Sequence, residues 1–539
     1  MRLDALVALA AATLVWLVAF PTHAANKLDD AIFAICRAES HVETTGGSPI
    51  ISIETGMGDG GFPIATANKP SQEWFNYGIK LYHAFYHDDA KLAFDKAVAA
   101  DPNCAMCLWG QALSRGPVMN FDVEDADIKA GLEIAKRAQA GARTARDRLL
   151  AAAMVKRYSR PQDAATERDF AADLIKADEA GPSAPDLRLL ASEVLMTAWR
   201  RGDKTTALPA VDLIEPILRK SPKNTAAIHY YIHATEYAGK PALALPYAEK
   251  LPGLAPKASH LVHMAAHTFF RVGRYEDAAT INATAMRTDA EHLTQTRTPG
   301  PLAAAAYYGH NLRFGMAGSL MSGDRILALK FAEHLHRAFT EPAFHKDDMS
   351  AAEGQRFTIY ARYDPYHMLS LPEPSADNPI TQCLYHYAKA EAFFELGDAA
   401  ALAAEAKKVS GDDPTLKIAK DVLAGRLAML QHHFGEAAQA FERAAVQQDA
   451  LLPATIDPPT WWYPIHRSVA AAWLQDGQFA LAAEAAQKSL AAWPADPLAL
   501  LVLSRANDGL GHHQDARRYD AQAIGLWSGD ITKMNVATI

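Results

Sequence analysis

Histidine is the residue type on which this chain concentrates chemistry. Seven of its 21 histidines fall between residues 229 and 310. His229 and His233 are four apart, as are His263 and His267, and His260 stands three residues before the second pair. Residues at that spacing share one face of a helix, so each segment projects two imidazoles together. Glu236 and His310 stand nearby in sequence and complete the candidate set. Neutral imidazole suits zinc, copper, nickel or iron, and paired histidines on neighbouring helices form a compact ligand set. Zinc or copper is the cofactor expected of these seven residues. Two other readings use the same residues: a groove that grips an anionic or aromatic partner, and histidines that only satisfy carbonyls inside the core. The His263-Met264-Ala265-Ala266-His267 run has the histidine spacing of zinc proteases. Met264 occupies the place of their glutamate base, so that hydrolytic chemistry lacks its proton acceptor.

Other reactive residues point less far. Cys104-Ala-Met-Cys107 has the spacing of a local disulfide, a redox dithiol or half of a metal site, while Cys36 and Cys383 complete the four thiols. Leu108 follows in place of histidine, which removes covalent c-type haem attachment. The glycine-rich stretch from Gly56 to Gly61 runs into Phe62-Pro63 rather than into a helix N-terminus. That argues for a lead-in or capping segment and against a phosphate-cradling loop. No Ser-His-Asp set or carboxylate pair is identifiable. Net charge is −9, the wrong sign for nucleic acid as the main partner.

The elements that must position the histidines announce themselves by phase. Apolar residues recur at three- and four-residue spacing from Trp74 to Trp527, which is the helical period. The clearest unit runs from Ser71 to Cys104, with Trp74, Gly78, Leu81, Ala90, Phe94, Ala97 and Pro102 at places 4, 8, 11, 20, 24, 27 and 32. This resembles the tetratricopeptide (TPR) pattern, a 34-residue helix–turn–helix whose small residues at places 8 and 20 let two helices pack closely. Gly239 and Gly273 lie 34 apart, as do Gly477 and Gly511, and Gly425, Phe434, Ala437 and Phe441 keep the same phase. Seven or eight copies are recognisable, with degenerate helical ones expected between 123 and 220. The fold expected is therefore all-α, a TPR-type solenoid wound as a right-handed superhelix. In that phase His229 and His263 share place 5, His233 and His267 share place 9, His260 and His310 take place 2, and Glu236 takes place 12. In TPR proteins those places line the concave groove.

The chain also resembles a large, mostly uncharacterised family of exported bacterial TPR proteins. The resemblance rests on Phe85-Tyr-His-Asp-Asp-Ala90, Asp101-Pro-Asn-Cys-Ala-Met-Cys-Leu-Trp-Gly110, Gly116-Pro-Val-Met-Asn120, His229-Tyr-Tyr-Ile-His-Ala-Thr-Glu236, His260-Leu-Val-His-Met-Ala-Ala-His267, His310-Asn311 and Trp461-Trp-Tyr-Pro464. It implies the fold and export but brings no established activity.

The N-terminus agrees with export. Arg2 precedes an apolar run over residues 5–20, and Pro21-Thr22-His23-Ala24 offers a cleavage site after Ala24. Sixteen residues span roughly 24 Å as a helix, short of the ~30 Å hydrocarbon core. The expected organisation is a signal peptide over 1–24, a lead-in or cap over 25–70, a TPR block with the histidine groove over 71–340, an insertion or joint over 341–380, and a second TPR block over 381–539. The mature protein is expected in the periplasm or secreted, with no later membrane span. Its expected role is to bind a transition metal, or a ligand held through one. A protein-interaction scaffold using the groove without metal, and a metal-dependent enzyme of unnamed substrate, are the alternatives.

Overall fold

Paired antiparallel helices account for nearly all regular structure in the computed structural model, which describes residues 22–39, 49–341, 344, 349–451, 458–536 and 539. Most of the expected signal peptide, residues 1–21, lies outside the described residues, as do 342–343 and 345–348 of the expected joint. Among the described residues there are 26 α-helices and no strand. The fold is an all-α TPR-type solenoid.

The repeat phase has a visible packing cause. At Gly78 an added Cβ would lie 2.6 Å from the ring of Phe94, sixteen residues on. The same approach recurs where Gly315 meets Phe331 and where Gly425 meets Phe441. One helix of each pair therefore presses its backbone onto an aromatic ring of the other, which any larger side chain would prevent. Residues 123–220 are helical as expected, in elements from Asp125–Gly141 to Ala207–Lys220. The 341–380 segment is largely helical too: Ser350–Tyr363 and Pro365–Ser370 continue the stack. Part of its arginine content is spent internally, as in the buried two-point pairing of Arg356 with Glu353 at 2.8 Å and 2.8 Å, whereas Tyr366 is exposed.

Three features shape the region of the histidines. The first histidine helix, Thr225–Tyr237, and the second, Ser259–Arg271, begin 34 residues apart. The second is followed by a full partner helix, Tyr275–Thr296, whereas the first is followed only by one-turn pieces at Pro241–Ala244, Leu245–Ala248 and Leu251–Leu254. Prolines 241, 246 and 252 open those pieces and deny them continuous hydrogen bonding. The solenoid also closes on itself. Gly273, at φ +82, approaches the Pro494 carbonyl so closely that no Cβ fits, and Tyr275 donates its hydroxyl to that carbonyl at 3.0 Å. Finally, the glycine-rich lead-in straps helix starts together: the Asp59 carboxylate accepts from the Thr225 amide at 2.9 Å, and the Gly61 amide donates to Asp186 at 3.0 Å. Gly56 to Gly61 thus lies against the starts of two helices, with Asp59 accepting from the Thr225 amide.

Candidate metal centre

Both histidine helices carry their imidazoles on a buried face. There the Lys69–His83 helix and the turn after it, and the Tyr308–Ser322 helix, close over them. His229, His233, His260, His263 and His267 are each at most 2% exposed. The expected concave groove is therefore filled at this point, by Phe85, Tyr307 and Phe314. The six histidines sort into two trios. Ligand-capable atoms of His229, His233 and His260 lie within 4.8 Å of one another, and so do those of His263, His267 and His310. The trios adjoin, with the rings of His233 and His267 5.0 Å apart.

The hydrogen bonds behind the rings fix their tautomers. His229 Nδ1 lies 2.6 Å from the main-chain carbonyl of His83. A carbonyl only accepts, so Nδ1 carries the proton and Nε2 keeps its lone pair. His263 Nδ1 lies 2.6 Å from Asn282 Oδ1, whose amide nitrogen is held by the Ala278 carbonyl at 2.6 Å. His267 Nδ1 donates to Glu236 Oε2 at 2.9 Å, and the other oxygen of Glu236 accepts from Arg271 at 2.8 Å. In each case the lone pair of Nε2 faces inward. His260 and His229 Nε2 approach to 3.1 Å, His267 and His263 Nε2 to 3.0 Å, and His310 and His267 Nε2 to 3.4 Å. His263 and His267 both keep their Nδ1 protons on acceptors, so their Nε2 atoms meet as two acceptors, which do not approach to 3.0 Å without a cation or proton between them. Three nitrogens about 2.0–2.1 Å from a tetrahedral ion stand about 3.3 Å apart, so the spacing fits a metal. Burial also favours the ligating, neutral form of two rings of the first trio. It pushes His229 down to about 3 and, with help from the neighbouring imidazoles, His260 well below the usual histidine range.

Each trio has an aromatic cover. Phe85 places its ring centroid 4.4 Å from His229 and 4.8 Å from His260. It does so from a left-handed backbone at φ 60, a conformation that costs a bulky residue about 1–2 kcal/mol. Phe314 covers the other trio at 5.1 Å from His263 and 4.6 Å from His267. Tyr307 lies 4.2 Å from His260 and accepts from Asn120 at 3.2 Å. A buried relay supports the first trio from behind: the Tyr230 hydroxyl bonds His83 Nδ1 at 3.0 Å, and His83 Nε2 bonds Asp186 at 3.1 Å.

All seven residues expected from the sequence are thus brought together, with different duties. Six are imidazoles of the two trios. Glu236 stands behind His267 and orients it, although the same carboxylate also lies within reach of His233. Sequence reasoning did not assign Phe85, His83, Asn282, Tyr307 or Phe314 to the site. For Phe85, His87 and Asn120 the family-like blocks held a signal; for Asn282 there was none. The other conspicuous residues are structural. Cys104 and Cys107 form a disulfide at the start of the Ala105–Leu113 helix, Trp109 donates to the Leu150 carbonyl inside the core, and Trp461 stacks on Trp462 at 4.8 Å. His432, His433, His512 and His513 are exposed in turns or at a helix start.

No protein-family model and no curated protein matches the chain. Among solved structures it is similar to a human IFIT1 dimer with m7Gppp-AAAA (12% identity, 86% of this chain and 91% of that one, TM-score 0.31). It is also similar to the APC/C hetero-tetramer Cut9-Hcn1 (14%, 82% and 78%, TM-score 0.30) and to the P58(IPK) TPR domain (14%, 82% and 99%, TM-score 0.22). Likenesses this distant carry no functional argument.

Proposed function

We propose that this chain is an exported TPR-type repeat protein that binds two transition-metal ions, copper or zinc, one in each histidine trio. One observation carries the reading: His263 and His267, whose Nδ1 protons are both committed to acceptors, turn their Nε2 lone pairs toward each other at 3.0 Å, and His260 and His310 bring further Nε2 atoms to 3.1 Å of His229 and 3.4 Å of His267. The donor set is imidazole alone, which favours copper and zinc over the carboxylate-loving magnesium, calcium and manganese. The groups behind the rings are of the kind that fix ligand orientation and raise basicity. Export is supported by the apolar N-terminal run and by the Cys104–Cys107 disulfide, which suits an oxidising compartment. A scaffold that grips a protein through these histidines is disfavoured, because a macromolecule could not touch them without displacing Phe85, Tyr307 and Phe314.

The test is metal uptake. Protein stripped with chelator and reloaded should take up copper or zinc near stoichiometrically. At a hundredfold excess over Kd, each ion should stabilise the fold by about 2.7 kcal/mol. No uptake and no thermal shift with either metal would overturn the reading.

A further inference from the structure

A chamber of about 500 Å³ opens beside the first trio, with His260 in its wall. That volume suits a small organic molecule. Phe85, Val118, Phe121 and Tyr307 give it an apolar and largely aromatic lining. Its cationic and imidazole side chains are occupied by acids, His292 with Asp89 at 2.7 Å, Lys91 with Asp88 at 3.1 Å and Arg115 with Asp127 at 3.7 Å, and the remaining acid, Asp289, accepts from the Asn311 amide at 3.2 Å. An anionic ligand would therefore have to break an existing pair to gain a counter-charge.

Two imidazoles in the wall have unmet hydrogen-bonding capacity. Both ring nitrogens of His87 are buried with no partner, and so is Nδ1 of His260. His87 is wedged among rings, with Tyr82, Phe85 and Phe121 centred 5.2, 5.2 and 5.4 Å away. Buried polar atoms are normally satisfied, and exceptions call for an explanation. A neutral imidazole offers one donor and one acceptor. A hydroxyl on a flat apolar body can donate to, or accept from, one of these nitrogens, and its ring would match the aromatic walls.

From this we infer that the chamber binds a small uncharged phenol, its ring against Phe85, Phe121 and Tyr307 and its hydroxyl on His87, at the open side of the first trio. The inference goes beyond metal binding, because the chamber is formed by the chain itself and can be probed with or without metal.

Calorimetry on the full chain, metal-free and copper-loaded, with 4-methylphenol, toluene and 4-methylbenzoate decides it. 4-Methylphenol should bind, toluene about tenfold more weakly for want of the hydroxyl, and 4-methylbenzoate not measurably. His87→Leu should bring 4-methylphenol to the toluene level without altering copper uptake, and His87→Gln should recover part of the difference. Ala305→Trp, which fills the chamber from its wall, should abolish binding of both. Equal affinity for 4-methylphenol and toluene, preference for the carboxylate, or no binding by folded protein would each overturn the inference. So would full 4-methylphenol affinity in His87→Leu. If copper is not taken up, 4-methylphenol binding by the metal-free chain still tests the chamber, so failure of the metal reading and failure of this one are told apart.

Discussion

Behind His229 stands a main-chain carbonyl; behind His267 stands the carboxylate of Glu236. The two trios come from repeats in the same phase, yet their surroundings differ in charge and in access. The second trio is backed by Asn282 and Glu236 and covered by Phe314. The first is backed by a neutral peptide group, covered by a strained Phe85, and adjoins the chamber through His260. A carboxylate behind an imidazole raises its basicity as a ligand, whereas a carbonyl mostly fixes its orientation. If each trio holds an ion, the second, with a carboxylate behind it, should hold its ion more tightly, and the first is the one that adjoins the chamber. Equal repeats acquire unequal chemistry through what the superhelix packs against them.

The largest way to break this comparison is to remove one trio. His263→Ala with His267→Ala should lower copper content from two ions per chain to one, read by elemental analysis after dialysis, and leave 4-methylphenol binding intact. Glu236→Gln is gentler: metal affinity should fall about 10–100-fold at the second trio and by less at the first, which the carboxylate reaches only through His233, seen as a split in competition titrations with a chelating dye. Phe85→Gly sharpens the contrast from the other side. Losing a buried phenyl costs about 3–5 kcal/mol, while glycine relieves about 1–2 kcal/mol of left-handed strain. Urea unfolding of the metal-free variant should show a net loss of about 1–4 kcal/mol by that difference, and metal exchange should quicken at the first trio alone.

The smallest effect is in pH. Burial holds His87 down at about 3, against about 6.5 in an unfolded chain. Between those values the unfolded chain binds a proton that the folded chain refuses, so stability is complete above pH 6.5 and declines as pH falls toward 3. His87→Leu should flatten part of that decline in the urea midpoint measured from pH 7 to 4.5, with no change above pH 7.

Much of the fold was legible because TPR packing imposes small residues at fixed places, and Gly78 under Phe94 shows why. The histidines were legible as a set for the same reason: places shared between repeats project onto one face. Their partition was not. His260 belongs with His229 on the neighbouring helix, not with His263 on its own, and that depends on the angle between helices, which no local pattern encodes. Nor could spacing show that the 83–87 turn crosses the inner face, since Phe85 is 144 residues from His229 and adopts a backbone usually left to glycine. The proline-broken pieces after Gly239 were hidden by a phase that still places buried alanines at 244 and 248.

If each trio holds one ion, counting copper in chelator-stripped, reloaded protein separates them: wild type beside His229→Ala, His263→Ala and the double variant. Wild type should hold two ions per chain, each single variant about one under competing chelator, and the double variant none. Uptake that is absent in wild type, or unchanged in the double variant, would contradict one ion per trio.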